Sequence, residues 1–312
     1  MNASTPDPTG DARQRQIPPR GAINLDHIAH FVPDIEAARA ALERLGFVPT
    51  PFSEQRNRPH PGAPLESAGT GNRCVMLRRG YLEFLTAFGA TPTAERMRAT
   101  MSRHVGVHLV CFGTADPAAV AERLTAQGFA PAAPITLERN VATTGSDGLA
   151  RFTVIRVPPE SMAEGRIQFV HHRTPRLVWQ RRWLDHPNRV SALTAAVLCV
   201  TDPASAAARY ARFTGLADVP AGGVRKIETA RGALLFADHT TAARIFGVAP
   251  PPPCIAGYGL ESDDLGATRT VMARAGAVLR PLDRDAFAAA LPSELGGAVI
   301  VGGGGQPIAE LF

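Results

Sequence analysis

The chain has 312 residues, of which 45% are hydrophobic, and a formal net charge of +5. This length predicts two domains, each large enough for its own core. The positive charge does not indicate nucleic-acid binding, because Lys226 is the only lysine and the arginines are spread along the whole chain. It is compatible with anionic small-molecule partners. No stretch of about 18 apolar residues occurs, so no membrane span is expected.

The first 22 residues are rich in Pro, Gly and Gln and have no apolar periodicity. They are expected to form a disordered tail, and they lack the apolar segment of a secretory signal. The four cysteines lie far apart in apolar, strand-like runs, at Cys74, Cys111, Cys199 and Cys254. This usage is typical of buried free thiols in a reducing compartment, which predicts a cytoplasmic protein.

One pattern occurs four times: an apolar run, an Asp, a helical stretch and a Gly. The Asp and Gly residues of the copies are Asp34 and Gly46, Asp116 and Gly128, Asp202 and Gly215, and Asp264 and Gly276. An Asp suits a helix N-cap, a Gly suits the left-handed position after a helix, and the apolar run suits a strand. Further strands are predicted at 72–79 and 81–88 in the first copy, and at 150–157 and 166–172 in the second. Each copy is therefore interpreted as a βαβββ unit.

Four such units, the first opening with LDHIAHFVPD and reaching GTGNRCVMLRRGYLEFL, resemble the vicinal oxygen chelate superfamily. The similarity is greatest to its glyoxalase-like branch within the glyoxalase, bleomycin-resistance and extradiol-dioxygenase fold, and it covers about residues 23–312. The resemblance implies an α+β fold in which two units form a half-barrel around one divalent metal. Two tandem modules are expected, at 23–172 and 190–312, joined by a connector at 173–189.

The resemblance assigns metal-ligand roles to His27, in LDHI, and to Glu83, in GYLEFL. Strand alternation places His27 on one face with Ala29, and Asp26 on the other face. A histidine in this position, taken alone, is more often a core histidine with satisfied hydrogen bonds than a metal ligand. A carboxylate among apolar neighbours, as at Glu83, is costly to bury unless it is paired or coordinated. Zn, Fe, Mn, Ni and Co are not distinguished by these residues.

The second unit is expected to supply further ligands through the same spacing. Glu83 lies three residues after Gly80, and Gln168 lies three residues after Gly165. Internal repetition therefore places Gln168 opposite Glu83, as a neutral oxygen donor. Arg166 lies two residues before Gln168 and would share its face, where it could pair with a substrate carboxylate.

The fourth ligand position is ambiguous in the sequence. Counting back seven residues from Asp116, as from Asp34 to His27, gives Leu109, but the longer loop moves the equivalent to His108 or to Val107. A slip of one residue turns a strand side chain to the opposite face. The two alternatives remain open: an inward His108 would complete a set of two histidines and one carboxylate, and an inward Val107 would not.

The equivalent positions of the third and fourth units are Ala195, Leu235 and Gly257. None can bind a metal through its side chain. The second module is therefore predicted to be metal-free and to serve in packing, as a lid, or in forming a homodimer.

A metal in such a half-barrel acts as a Lewis acid on a small oxygen-rich substrate. The resemblance therefore implies a metal-dependent lyase or isomerase in which Glu83 also moves a proton. Two alternatives remain. An extradiol-type dioxygenase needs two histidines and one carboxylate on Fe(II), and a binding or resistance protein would hold a small molecule without chemistry.

Overall fold

The computed structural model of the protein describes residues 16–57, 63–64, 66–145, 147–247, 249–283, 285–304 and 308–312. The strands of the first half are β1 Ile23–Phe31, β2 Ser53–Asn57, β3 Glu66–Met76, β4 Tyr81–Ala87, β5 Gly106–Thr114, β6 Ile135–Ala142, β7 Asp147–Arg156 and β8 Arg166–His172. Its helices are α1 Ile35–Arg44, α2 Pro92–Met101 and α3 Pro117–Ala126, and the short α4 Pro175–Val178 follows β8. The predicted disordered tail lies outside the described residues as far as residue 15.

The second half repeats this order of elements. Its strands are β9 Val190–Cys199, β10 Asp218–Ala221, β11 Val224–Glu228, β12 Ala233–Ala237, β13 Cys254–Ser262, β14 Leu279–Asp283, β15 Ala286–Ala290 and β16 Ala298–Gly303. Its helices are α5 Pro203–Thr214, α6 His239–Phe246 and α7 Leu265–Arg274. Among the described helices, none is both long enough and apolar enough to cross a membrane.

The Asp and Gly residues of the repeat determine where the first helix of each of the four units begins and ends. Each Asp is an N-cap whose carboxylate accepts one or two backbone N–H groups of the first turn. This satisfies donors that the helix itself leaves free. Each Gly adopts a positive φ, between +73° and +85°, a conformation that side-chain-bearing residues rarely adopt. The predicted α+β fold of four βαβββ units in two tandem modules is confirmed.

The two modules close differently. In the first, the strands form a closed barrel in the order β1-β4-β3-β2-β6-β7-β8-β5, where the pairing of Arg56 with Glu138 joins β2 to β6. In the second, the strands form an open eight-stranded sheet in the order β10-β11-β12-β9-β13-β16-β15-β14. The half-barrel implied by the resemblance is therefore a complete barrel in the first module. Its inward side chains lie in an enclosed interior.

A shared aromatic core joins the modules. The ring of Phe213, on α5 of the second module, stacks on Phe169 of the barrel at 5.1 Å, and Phe169 packs on Phe112 at 5.4 Å. The backbone also crosses the boundary: Arg79 N–H donates to the Ser191 carbonyl, and Leu193 N–H donates to the Arg79 carbonyl. Buried aromatic contacts of this kind are worth more than their area alone. The two modules therefore pack as one body through the outer wall of the barrel.

The end of the predicted tail is ordered. Gln16 has no exposed surface, its side-chain amide donates to the Leu77 and Arg78 carbonyls, and its oxygen accepts from Gly80 N–H. Arg231 of the second module donates to the same oxygen. The expectation of disorder is wrong at this residue, because a buried amide with these partners holds the chain in place.

His30 lies at the boundary of the modules. Its Nδ1 is 3.0 Å from the Leu295 carbonyl oxygen and its Nε2 is 3.2 Å from the Tyr258 hydroxyl. A neutral ring that donates from Nδ1 and accepts at Nε2 satisfies both partners. Burial lowers the pKa of His30 to about 4. The interface therefore contains a histidine that is held neutral.

Because His30 is held neutral in the folded protein, we expect the protein to lose stability in acid. Between the unfolded pKa of about 6.5 and the folded pKa of about 4, the unfolded chain binds more protons, so the free energy of unfolding falls as the pH falls through this range. At about 1.4 kcal/mol per unit, the full loss is on the order of 3–4 kcal/mol. We expect His30→Gln, which cannot titrate, to be less stable than wild type near neutral pH and to approach it at about pH 4.5. Urea unfolding at both pH values measures this.

His171→Gln is the matched control for His30→Gln. His171 is half-buried on β8, and its Nδ1 contacts the Thr114 carbonyl within the first module. Its replacement removes a half-buried histidine and leaves the boundary between the modules intact, so it controls for the loss of a histidine as such. A stability difference between wild type and His30→Gln that is the same at both pH values would contradict the assignment.

Candidate functional site

A β-bulge in β1 determines which side chains enter the barrel. Leu25 pairs with Phe112 and His27 pairs with Cys111, so Asp26 is an extra residue between two paired positions. A bulge of this kind re-aims side chains. Leu25 joins the shared core, whereas both Asp26 and His27 face the interior. The prediction that Asp26 and His27 lie on opposite faces is therefore wrong.

Asp26 joins two histidines inside the barrel. Its carboxylate accepts from His27 Nδ1 at 2.7 Å and from His172 Nε2 at 3.1 Å, and all three residues are buried. Burial by itself would raise the pKa of Asp26, but His172 and His27 outweigh it and hold that pKa below its ordinary value. Asp26 is therefore a carboxylate that fixes the orientation of the His27 ring. This role was not predicted from the sequence. The signal for it was that His172 lies four residues after Gln168 and therefore on the same, inner face of β8.

His27 and Glu83 converge in the interior. With Nδ1 held by Asp26, His27 Nε2 lies 3.8 Å from Glu83 Oε2. The other oxygen of Glu83 accepts from Asn72 Nδ2, and the ring of Tyr81 stacks on His27 at 4.3 Å. Burial disfavours the imidazolium, but Cys111 and Asp26 outweigh burial and raise the pKa of His27 well above its ordinary value. A positive charge at Nε2, from a proton or from a metal, suits this position.

Gln168 lies on the opposing wall. Its oxygen accepts from Arg156 Nε at 3.2 Å, and its amide nitrogen is 3.9 Å from Cys111 Sγ. Cys111 is also the strand partner of His27. Arg166 lies at the next inward position of β8 and its guanidinium stacks over the ring of Phe31, 5.6 Å from the centroid. The structure therefore brings His27, Glu83 and Gln168 into one interior.

His108 occupies a second bulge. Leu109 pairs with Ala29 and Val107 pairs with His30, which leaves His108 between two paired positions. Its Nε2 contacts the His104 carbonyl at 2.7 Å, and burial lowers its pKa to about 4. Its ring lies 5.1 Å from the ring of Phe31.

Strand register identifies the equivalent of His27 in the second unit. Ala29 pairs with Glu83 on β4, and Cys111 pairs with Gln168 on β8. His27 lies two residues before Ala29, and Leu109 lies two residues before Cys111. Leu109 therefore stands at the fourth ligand position, and neither His108 nor Val107 does.

The donor set suits a divalent cation only in part. His27 Nε2 and Glu83 Oε2 are too far apart for a hydrogen bond, and the Asp26–His27 contact is the arrangement that orients histidine ligands in metal sites. In the described part of the chain, no three His, Cys, Asp or Glu side chains converge closely enough to hold an ion. The donors that could hold a cation are therefore His27 and Glu83, while the Gln168 oxygen, the remaining candidate, accepts from Arg156.

Comparison with known proteins identifies the family. A family model described as a glyoxalase-like domain matches residues 25–214, more than half of the chain. The chain belongs to the glyoxalase-like family of the vicinal oxygen chelate superfamily. A search of curated proteins finds no match.

Solved structures with the same fold are distant in sequence. A hypothetical protein from Staphylococcus aureus is 12% identical, with a TM-score of 0.60 over 90% of this chain and 99% of that one. A mutant of 4-hydroxymandelate synthase from Streptomyces coelicolor is 14% identical, with a TM-score of 0.53 over 93% and 98%. The Mn(II)-bound glyoxalase from Novosphingobium aromaticivorans is 12% identical, with a TM-score of 0.50 over 93% and 82%. At these identities the similarity shows the fold alone.

Among its described residues, the second module has no comparable polar site at the equivalent positions. By strand register, Ala195 corresponds to His27, Leu235 to Glu83, Gly257 to Leu109 and Ile300 to Gln168. A cavity of about 290 Å³ lies beside Ala195 and Leu235. The four positions that face the interior of the first module are thus filled by residues that cannot bind a metal through their side chains.

A cavity of about 190 Å³ reaches into the wall of the first module. Cys74, Met76 and Arg139 line it from the barrel, and Leu177 and Trp183 line it from the segment around α4. Cys74 is the strand partner of Glu83. Arg139 donates to Asn72, which in turn donates to Glu83. The cavity therefore ends beside the strand partner of Glu83, one residue away from the pair formed by His27 and Glu83.

Gly113 on β5 provides the space that the Asp26 carboxylate occupies. A Cβ at this position would lie 3.0 Å from Asp26 Oδ2. We expect Gly113→Ala to lower the free energy of unfolding by about 1–3 kcal/mol and Gly113→Val to lower it more, because added atoms in a packed interior force shifts. Urea unfolding measures both.

Gly266→Ala in α7 is the control for Gly113→Ala. Its Cβ would meet its nearest neighbour, Asp264 Oδ1, at an ordinary contact distance of 3.4 Å. Alanine is the better helix former, so this variant should be as stable as wild type or more so. Wild-type stability of Gly113→Val would show that Asp26 is not confined at this point.

Proposed function

We propose that the first module is a metal-dependent lyase or isomerase that acts on a small, oxygen-rich, anionic substrate. The observation that carries the proposal is the convergence of His27 Nε2 and Glu83 Oε2, 3.8 Å apart, with Asp26 holding the far side of the imidazole. The Mn(II)-bound glyoxalase of the same fold supports a divalent ion as the cofactor. His27 and Glu83 would hold the ion, and Gln168 would be a weaker third donor.

A divalent ion supplies Lewis-acid stabilisation of negative charge on a substrate oxygen. The protein's own residues supply orientation and proton transfer. Asn72 holds one oxygen of Glu83. The other oxygen, which would help to hold the ion, would have to detach from it before it could take a proton from a substrate carbon and return it. Tyr81 covers the face of the His27 ring, and its pKa is raised well above its ordinary value by burial, so it stays a neutral phenol. Arg166 would pair with a substrate carboxylate.

A non-catalytic binding or resistance role is the second candidate. It is favoured by Leu109, which fills the fourth ligand position with an apolar side chain. The third candidate, an extradiol-type dioxygenase, needs a second histidine beside His27 and Glu83. His108 contacts His104 and Phe31, and His172 donates to Asp26. The similarity in fold to 4-hydroxymandelate synthase is the observation that favours the dioxygenase.

Metal content tests the proposal. Protein purified without an affinity tag is expected to carry about one divalent ion per chain, because His27, Glu83 and Gln168 offer a single set of donors. His27→Ala and Glu83→Ala should each lose at least about nine-tenths of it, because two donors cannot be reduced to one without loss of affinity. Elemental analysis of wild type and variants measures the content.

His171→Ala is the matched control for the metal experiment, because His171 contacts the Thr114 carbonyl instead of the interior donors. It should retain wild-type metal content. Wild-type protein with no bound metal would favour the binding role. Loss of metal in His108→Ala equal to that in His27→Ala would overturn the ligand assignment and favour a dioxygenase.

Asp26 is expected to act as a positioning residue for His27. Asp26→Asn should weaken metal affinity by about 10–100-fold, because the ligand ring loses the carboxylate that fixes its orientation. Competition with a chelator measures the affinity, and circular dichroism checks the fold. Asp185→Asn, at an exposed carboxylate that pairs with Arg78, is the control. An unchanged affinity in Asp26→Asn would mean that His27 is oriented without this contact.

A further inference from the structure

Three arginines enter the barrel of the first module and surround Glu83. Arg139 extends from β6, Arg156 from β7 and Arg166 from β8. Strand pairing places Arg166 level with Glu83, through Ala29 and Leu109. Arg156 donates to Gln168 on the same strand as Arg166, and Arg139 donates to Asn72, which donates to Glu83. We call Arg139, Arg156 and Arg166 the arginine cluster.

The arginine cluster has neutral partners. Arg139 donates to Asn72 and lies over the ring of Phe152, 5.3 Å from its centroid. Arg156 donates to Gln168, and Arg166 lies over the ring of Phe31. In the described part of the chain, none of the three forms an ion pair with a carboxylate. The exposed rim is different, since Arg78 and Arg79, for example, pair with acidic residues.

Unpaired charge in this position is costly. A guanidinium keeps its proton at any physiological pH, so it cannot escape burial by becoming neutral. A half-buried guanidinium with only neutral partners has lost part of its hydration without gaining a counterion, so an opposite charge would be favourable here. Each member of the arginine cluster also remains half-buried, so solvent reaches part of it.

The charges can be counted. The three guanidiniums of the arginine cluster face one carboxylate, Glu83, because Asp26 is already paired with His27 and His172. Two positive charges therefore remain without a counterion. Arg156 and Arg166 extend from the paired strands β7 and β8, whereas Arg139 approaches through Asn72 on β3 and borders the cavity of about 190 Å³. The excess charge is thus divided between two sides of Glu83.

We propose that the ligand of this site is a small dicarboxylate, with one carboxylate held by Arg156 and Arg166 and the other by Arg139. This inference rests on the proposed function, because it names the substrate class of the same site. A planar guanidinium matches a carboxylate in shape and can donate two parallel hydrogen bonds to it. The carbons between the two carboxylates would lie beside Glu83, where proton transfer needs them.

Binding of dianions to full-length protein treated with a chelator tests the inference. Succinate and glutarate are the probes, with acetate as the single-charge comparison and succinamide as the neutral one. At least one of the two dianions should raise the thermal midpoint and bind at least about tenfold more tightly than acetate in calorimetry, because a ligand that binds only the folded state stabilises it. Succinamide should have no effect. Equal binding of acetate and both dianions would overturn the proposal.

Variants locate the binding. Arg166→Gln and Arg139→Gln should each weaken dianion binding at least about tenfold, since each removes one charged partner of a carboxylate. Arg166→Lys should retain part of it. Without ligand, Arg166→Gln should be at least as stable as wild type, because it removes an uncompensated charge. Arg212→Gln, exposed on α5, is the control and should bind as wild type does.

The outcomes separate this inference from the metal proposal. Dianion binding that persists in Arg166→Gln and Arg139→Gln would place the anion elsewhere and overturn the inference. A large loss of stability in Arg166→Gln together with unchanged dianion binding would mean that Arg166 is structural. Because the assay uses protein from which a chelator has stripped the metal and from which the chelator has then been removed, dianion binding and metal binding are measured separately, and either can fail without the other.

Discussion

A carboxylate without solvent exposure, Asp26, is the constraint on which the interior of the first module depends. Its negative charge is tolerable only because two imidazoles donate to it, so His27 and His172 are fixed by the same requirement. The bulge in β1 and the absence of a side chain at Gly113 create the space for it. Because Asp26 holds one ring nitrogen of His27, the other ring nitrogen points toward Glu83. The geometry of the candidate site therefore follows from satisfying one buried charge.

The two modules share one order of elements but enclose different kinds of side chain. The first closes into a barrel and encloses polar and charged side chains, whereas the second stays open and fills the corresponding positions with apolar or absent side chains. The aromatic core around Phe213 anchors the outer wall of the barrel to the second module. Polar groups in a core contribute little net stability. We therefore expect the apolar boundary between the modules to provide the stability that keeps the polar interior of the first module rigid.

The parts of the fold that local rules control were predictable. The Asp and Gly of each repeat specify where a helix begins and ends, and the positive φ of Gly46, Gly128, Gly215 and Gly276 follows directly. Bulges are not visible in a repeat of this kind, because they depend on cross-strand partners. Strict alternation therefore misplaced Asp26, and the loop length before Asp116 suggested His108 or Val107 where the register selects Leu109. Arg139 and Arg156 were missed for a related reason: they approach Glu83 from strands distant in sequence.

The charges of the interior connect the metal and the ligand. A divalent cation beside His27 and Glu83 would add positive charge to a space that already contains the uncompensated charge of the arginine cluster. The cost of bringing these charges together rises as water is excluded. A dianion removes that cost, so each of the two partners should favour the binding of the other, and by linkage the coupling must be equal in both directions. The cation that the protein carries should therefore be held more tightly when the dianion is bound. The apolar Leu109, where a fourth ligand would stand, acts in the same direction, because it leaves room for the oxygens that a substrate brings.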